Sequence, residues 1–102
     1  MRDKLKKIKD KIYSLQKIAS KSSALKAEGK KIVLCHGTFD LMHIGHLRYL
    51  KAAKKFGDIL FVTITADAYV LKGPGRPVFS ETLRSEMLAN LEIVDFVAVI
   101  HD

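Results

Sequence analysis

The sequence predicts an α/β protein with a Rossmann-like parallel sheet, and three observations carry that prediction. Three short apolar runs rich in β-branched residues, at 32–35, 59–65 and 94–100, alternate with two helical patterns. The runs are continuously apolar rather than alternating, as strands covered on both faces are. The order strand, helix, strand, helix, strand calls for right-handed crossovers, hence a three-strand β-α-β-α-β portion with helices on both faces.

Each element has its own justification. Leu5, Ile8, Ile12, Leu15 and Ile18 recur at steps of three and four, which predicts an N-terminal amphipathic helix over residues 3–19. Ser20, Ser22 and Ser23 are expected to interrupt it, with one more turn over 24–28 before Gly29. Residues 32–35 read as a strand buried on both faces. Leu47, Leu50, Ala53 and Phe56 then mark a helix over 44–56, closed by Gly57 and Asp58. Residues 59–65 are the second strand. The loop Lys72, Gly73, Pro74, Gly75, Arg76, Pro77 disfavours both helix and ladder. Ser80 and Glu81 open a helix over 81–91, and residues 94–100 form the third strand. Three parallel strands leave two sheet edges open to pairing.

Composition narrows the function classes. A chain of 102 residues is one domain or part of one. The longest apolar run is far too short to span a bilayer, and the basic start lacks the apolar core of a secretory signal. One cysteine, Cys35, fits a reducing, cytoplasmic setting. The net charge of +7 is unevenly placed: residues 1–31 hold eleven Lys/Arg against three acidic residues, and residues 32–102 hold seven against eight. The basicity therefore belongs to a leader, residues 1–29, and not to the part that carries the motifs, residues 30–102. Lysines on a helix are chiefly a solvated face, and Tyr13 is the leader's only aromatic, so neither nucleic acid nor a membrane is expected as a partner.

The chemistry gathers after the first strand. Ligands of open α/β sheets bind at the C-terminal strand ends, and there stand His36, Gly37, Thr38, Phe39 and Asp40, followed by a helix opening with His43, Ile44, Gly45 and His46. Glycine admits a phosphate close to the backbone, and a helix N-terminus offers free N–H groups. His43 and His46, three residues apart, share one face of a turn and suit phosphate oxygens. No P-loop lysine motif and no GxGxxG is present. A metal site from Cys35, His36, His43 and His46 lacks any ligand spacing of known kind, so no metal is assigned to the protein itself.

The run from Gly37 through Asp40 to His43, Gly45 and His46 resembles the signature of the cytidylyltransferase-like nucleotidyltransferase superfamily. The loop at 71–77, Arg84 and the pair Val94, Asp95 look most like its ADP-heptose synthase branch, with glycerol-3-phosphate cytidylyltransferase also similar. The resemblance implies transfer of a nucleotidyl group from ATP or CTP, with Mg²⁺, to a sugar or polyol phosphate, releasing pyrophosphate. It implies that Gly37, Thr38, Phe39, Asp40, His43, Gly45 and His46 bind the nucleotide, and that His43, His46, Lys72 and Arg84 serve catalysis. The plainer reading of Arg84 is a solvent-facing helix residue, and of Lys72 and Arg76 a solvated loop charge; Asp67 is expected to cap its turn. Family members commonly form homo-oligomers, with the contact near Val94 and Asp95. They also continue into a second half with an Arg-x-x-x-Ile-Ser-Ser/Thr-Thr-like segment that this sequence lacks. The resemblance thus covers the N-terminal part of a domain, completed elsewhere, and leaves open a non-catalytic nucleotide-binding or oligomerisation role. Class I aminoacyl-tRNA synthetases share the histidine corner but need a KMSKS-like loop, which is absent.

Overall fold

The three apolar runs pair side by side. In the computed structural model, which describes residues 8–70 and 73–101, strands β1 (Ile32–Gly37), β2 (Ile59–Thr65) and β3 (Phe96–Ile100) form one parallel sheet in the order β1-β2-β3. Ile32 lies opposite Ile59, and Phe61 opposite Phe96. β2 is central, and its residues 60–64 are all buried. Helix α1 (Leu15–Ala27) precedes the sheet, α2 (Ile44–Lys54) joins β1 to β2, and α3 (Glu81–Ala89) precedes β3.

Strand periodicity sorts the core into two layers. On one face Cys35, Leu60, Val62, Ile64 and Val97 pack against Leu50 of α2 and Leu88 and Ala89 of α3. On the other, Phe61 and Ala98 pack against Ile18 of α1, with Tyr13, Leu25 and Phe96 at the margin. Helices thus cover both faces, unequally. β1 is not buried on both sides as its apolar run suggests: Leu34 is 64% exposed and His36 is exposed. β1 is an edge strand, and α1 is the one described helix on its outer face, reaching Ile32 but leaving Leu34 open.

The leader departs most from its periodicity. Residues 1–7 lie outside the described residues. Residues 8–9 are helical, but the expected helix over 3–19 does not continue: the chain turns, and Ile12 makes a parallel bridge to Val97. The Tyr13 N–H donates to the Val97 carbonyl at 2.9 Å, and the Val97 N–H to the Lys11 carbonyl at 2.8 Å. The outer edge of β3 presents unpaired backbone groups, and pairing them competes successfully with one more helical turn. This isolated bridge meets the β3 edge at Val97, while on the β1 edge no described residue pairs. Ser14 then caps α1, its Oγ accepting from the Lys17 N–H at 3.3 Å. α1 runs without a break through Ser20, Ser22 and Ser23, because serine inside a helix costs only about half a kcal/mol against alanine. Gly29, at φ +85°, ends it, and the Lys30 N–H closes back on the Leu25 carbonyl at 3.0 Å.

α2 and α3 each stop two residues short of the sequence reading, and β3 starts two residues late. Val94 belongs to the turn before β3, its N–H donating to the Leu91 carbonyl at 3.1 Å, while its side chain joins the core. Asp95 braces the other end of the sheet: its carboxylate accepts from the Leu60 N–H at 2.8 Å and pairs with Lys54.

Candidate functional site

The backbone after β1 is forced into an uncommon shape. Phe39 (φ +53°) and Leu41 (φ +60°) both adopt the left-handed region without being glycine, at a cost of about 1 kcal/mol or more each. Two contacts hold them there. The Phe39 ring is buried against Gly37, where a Cβ would come within 2.8 Å of ring carbon Cε2, so only glycine admits it. The buried Asp40 carboxylate accepts from the Val78 N–H at 2.7 Å, the Phe79 N–H at 2.9 Å and the Arg76 guanidinium at 3.2 Å. Burial by itself would push the Asp40 carboxyl up, but the N–H groups of Phe79 and Val78 and the Arg76 charge outweigh it and hold the carboxyl below its ordinary value. Asp40 thereby ties the corner after β1 to the loop before α3.

The two histidines cap α2 reciprocally. Nδ1 of His43 accepts from the Gly45 N–H at 3.0 Å, and Nδ1 of His46 accepts from the His43 N–H at 3.1 Å. A neutral imidazole that accepts at Nδ1 carries its proton on Nε2. The hydrogen-bond pattern therefore assigns both rings the same tautomer, with the proton on Nε2. The rings stack at 4.2 Å between centroids, and His46 lies 5.3 Å from Phe39. Gly45 makes room for this: a Cβ there would sit 2.7 Å from Cε1 of His43. At a helix start, where free N–H groups and the helix dipole already favour an anion, two such donors can bind phosphate oxygens.

Arg84 lies beneath the corner and not at its surface. Its side chain is fully buried, and its guanidinium donates to the Phe79 carbonyl at 3.0 Å, the Thr38 carbonyl at 2.9 Å, the Thr65 carbonyl at 2.8 Å and Asp67 Oδ1 at 2.7 Å. Asp67 in turn receives the Glu81 N–H at 2.7 Å, and Glu81 Oε1 receives the Asp67 N–H at 3.0 Å. One cation thus joins the ends of β1 and β2 to the start of α3. Of the residues singled out in the sequence, Gly37, Thr38, Phe39, Asp40, His43, Gly45 and His46 form one corner, Arg84 braces it from below, and Lys72 lies outside the described residues. Among the described residues, no group of three or more His, Cys, Asp or Glu is placed to hold a metal ion.

The sequence reading passed over a second feature. At the C-terminal strand ends, on the face opposite α2 and α3, Leu34, His36, Thr63, Thr65 and Ile100 line a cleft of about 250 Å³. His36 Nδ1 and the Thr63 hydroxyl lie 2.9 Å apart, in hydrogen-bond contact. The signal available beforehand was threonine at alternate positions, 63 and 65, in an otherwise apolar strand.

Comparison with known proteins identifies the family. Residues 34–102 match the cytidylyltransferase-like family. The chain is 45% identical over 91 residues to the bifunctional protein HldE of Geobacter metallireducens, which covers 87% of this chain and 19% of that protein. HldE of Sulfurimonas denitrificans is 44% identical over 93 residues, 89% of this chain and 20% of that protein. The chain thus spans about a fifth of the length of these relatives. The crystal structure of a lipopolysaccharide core biosynthesis protein from Thermoplasma volcanium superposes with a TM-score of 0.65 at 35% identity, covering 71% of this chain and 59% of that one. The family match begins within β1 and spans the rest of the sheet, and the chain belongs to the cytidylyltransferase-like family.

Proposed function

We propose that this chain carries the N-terminal part, residues 30–102, of a nucleotidyltransferase domain that moves a nucleotidyl group from ATP or CTP to a sugar or polyol phosphate and releases pyrophosphate. The observation that carries the reading is the stacked pair His43 and His46 at the N-terminus of α2, beside the buried Phe39 of the corner. The family membership and the HldE relatives support the same reaction class.

In this reading the acceptor phosphate oxygen attacks the α-phosphorus of the nucleotide, and the bond from that phosphorus to the bridging oxygen of pyrophosphate breaks. No side chain forms a covalent intermediate. The two imidazoles and the N–H groups of α2 stabilise the charge on the triphosphate, and the rigid corner supplies orientation. Arg84 acts as a positioning residue: its hydrogen bonds hold the Thr38 carbonyl and the end of β2 in place. Mg²⁺ neutralises phosphate charge when bound. Asp40 is committed to Val78, Phe79 and Arg76, and Asp67 to Arg84 and Glu81, so neither of these two carboxylates stands ready as a ligand for the ion.

The test is pyrophosphate release by a complete version of the domain, given a panel of nucleoside triphosphates and sugar phosphates. His43→Ala and His46→Ala should each lower turnover about 10²–10³-fold, while loss of the α2 cap costs only about 1 kcal/mol of stability. Turnover equal to the parent in either variant refutes the assignment. Nucleotide binding without pyrophosphate release by the complete domain would favour the non-catalytic reading.

A further inference from the structure

We infer that the cleft between His36, Thr63 and Thr65 receives the hydroxylated part of the acceptor, and that His36 is the residue that selects it. The inference rests on the nucleotidyltransferase reading for the reaction but on its own observations for the subsite. The cleft draws on all three strands at their C-terminal ends, through His36 of β1, Thr63 and Thr65 of β2 and Ile100 of β3. This is where open parallel sheets take their ligands. His36 directly precedes Gly37, so the cleft adjoins the phosphate corner along the chain.

The lining fits a polyol. Leu34 and Ile100 give aliphatic walls for C–H faces, while two threonines and an imidazole give hydrogen-bonding groups for hydroxyls. Thr63 and Thr65 point the same way because strand side chains alternate. The contact with Thr63 at 2.9 Å fixes the His36 ring and leaves its Nε2 for a ligand. At about 250 Å³ the cleft lies below the usual range for whole drug-sized ligands and suits a small polyol or one sugar ring better than a nucleoside. Toward α1 it adjoins a groove of about 330 Å³ that shares Leu34, Thr63 and Ile100 and adds the apolar Ile18 and Phe61 together with Ser22 and Lys26.

Titration calorimetry on the full chain tests this, with glycerol phosphate, mannose phosphate, sedoheptulose phosphate, inorganic phosphate and a non-hydrolysable nucleoside triphosphate analogue as probes. At least one organic phosphate should bind about tenfold tighter than inorganic phosphate, the worth of one or two hydrogen bonds. His36→Ala and the near-isosteric Thr63→Val should each remove most of that margin, and His36→Asn should restore part of it. Inorganic phosphate and the analogue should bind all three variants as they bind the parent. The inference is overturned if no organic phosphate exceeds inorganic phosphate, if both Ala and Val variants keep the margin, or if they weaken every probe alike. Failure of the parent to bind the analogue would count against the nucleotidyltransferase reading alone, since the organic-against-inorganic comparison does not use it.

Discussion

At the residue scale, the corner depends on two buried charged groups that never need to meet a ligand. Replacing Arg84 by methionine keeps much of the volume but leaves the carbonyls of Thr38, Thr65 and Phe79 and the Asp67 carboxylate without their donor. Loss of a buried, fully committed partner costs about 3–5 kcal/mol. Chemical denaturation of Arg84→Met should show a loss of that size, and Arg84→Lys should recover little, since one ammonium cannot reproduce the planar fork. A loss below about 1 kcal/mol, the level of an exposed pair, would show that the buried network is dispensable. Asp40 makes a pH prediction. Its carboxyl is lowered in the folded chain, so its stabilisation is complete above the unfolded value of about 3.9 and disappears as pH falls through the lower folded value. Asp40→Asn should lower stability at neutral pH and flatten its further decline below about pH 4. Thermal melts of both proteins over that range decide it, and parallel acid limbs would mean that other groups control the decline.

At the element scale, the leader is structural where it touches the sheet. Ile18 is 5% exposed and packs on Phe61 and Ala98, while Lys21 sits 4.8 Å over the Tyr13 ring, itself 5.5 Å from Phe96. Ile18→Ala should therefore destabilise the fold by about 2–4 kcal/mol, whereas Lys17→Ala on the exposed side should shift it by less than about half a kcal/mol. Urea denaturation compares them directly, and equal effects would remove α1 from the core. The helical break at 10–13 follows from the same packing, because Ile12 and Tyr13 are held by β3 and not by their neighbours in sequence.

At the scale of the whole molecule, the two edges of the sheet differ. Residues 11–13 bridge to the β3 edge at Val97, but β1 has no partner among the described residues, and Leu34 beside that edge is exposed. An open strand edge next to apolar surface is a template for pairing, so we propose that the chain self-associates through β1. Sedimentation over a concentration series should show an average mass rising above that of one chain in the micromolar range. A constant monomer mass across the series would refute it. The contact near Val94 and Asp95 expected from the family resemblance has less to offer, since Val94 is buried and Asp95 is committed to Lys54 and Leu60.

How much of this was legible beforehand follows the range of the forces involved. The strand over 59–65 shows in its apolar, β-branched composition, and the stop at Gly29, the cap at Ser80 and the caps of α2 rest on interactions within a few residues, so composition, glycine and capping chemistry determined them in the sequence by itself. His46 accepting the His43 N–H and His43 accepting the Gly45 N–H are the clearest case. Tertiary structure decided the rest. It alone placed Arg84 inside the molecule, because its four acceptors come from three separate stretches of chain. It paired His36 with Thr63 across adjacent strands, left Leu34 bare by putting β1 at an edge, and broke the leader helix to cover β3. Each of these depends on which strand lies beside which, and that order is a property of the packed sheet that no local window of residues contains.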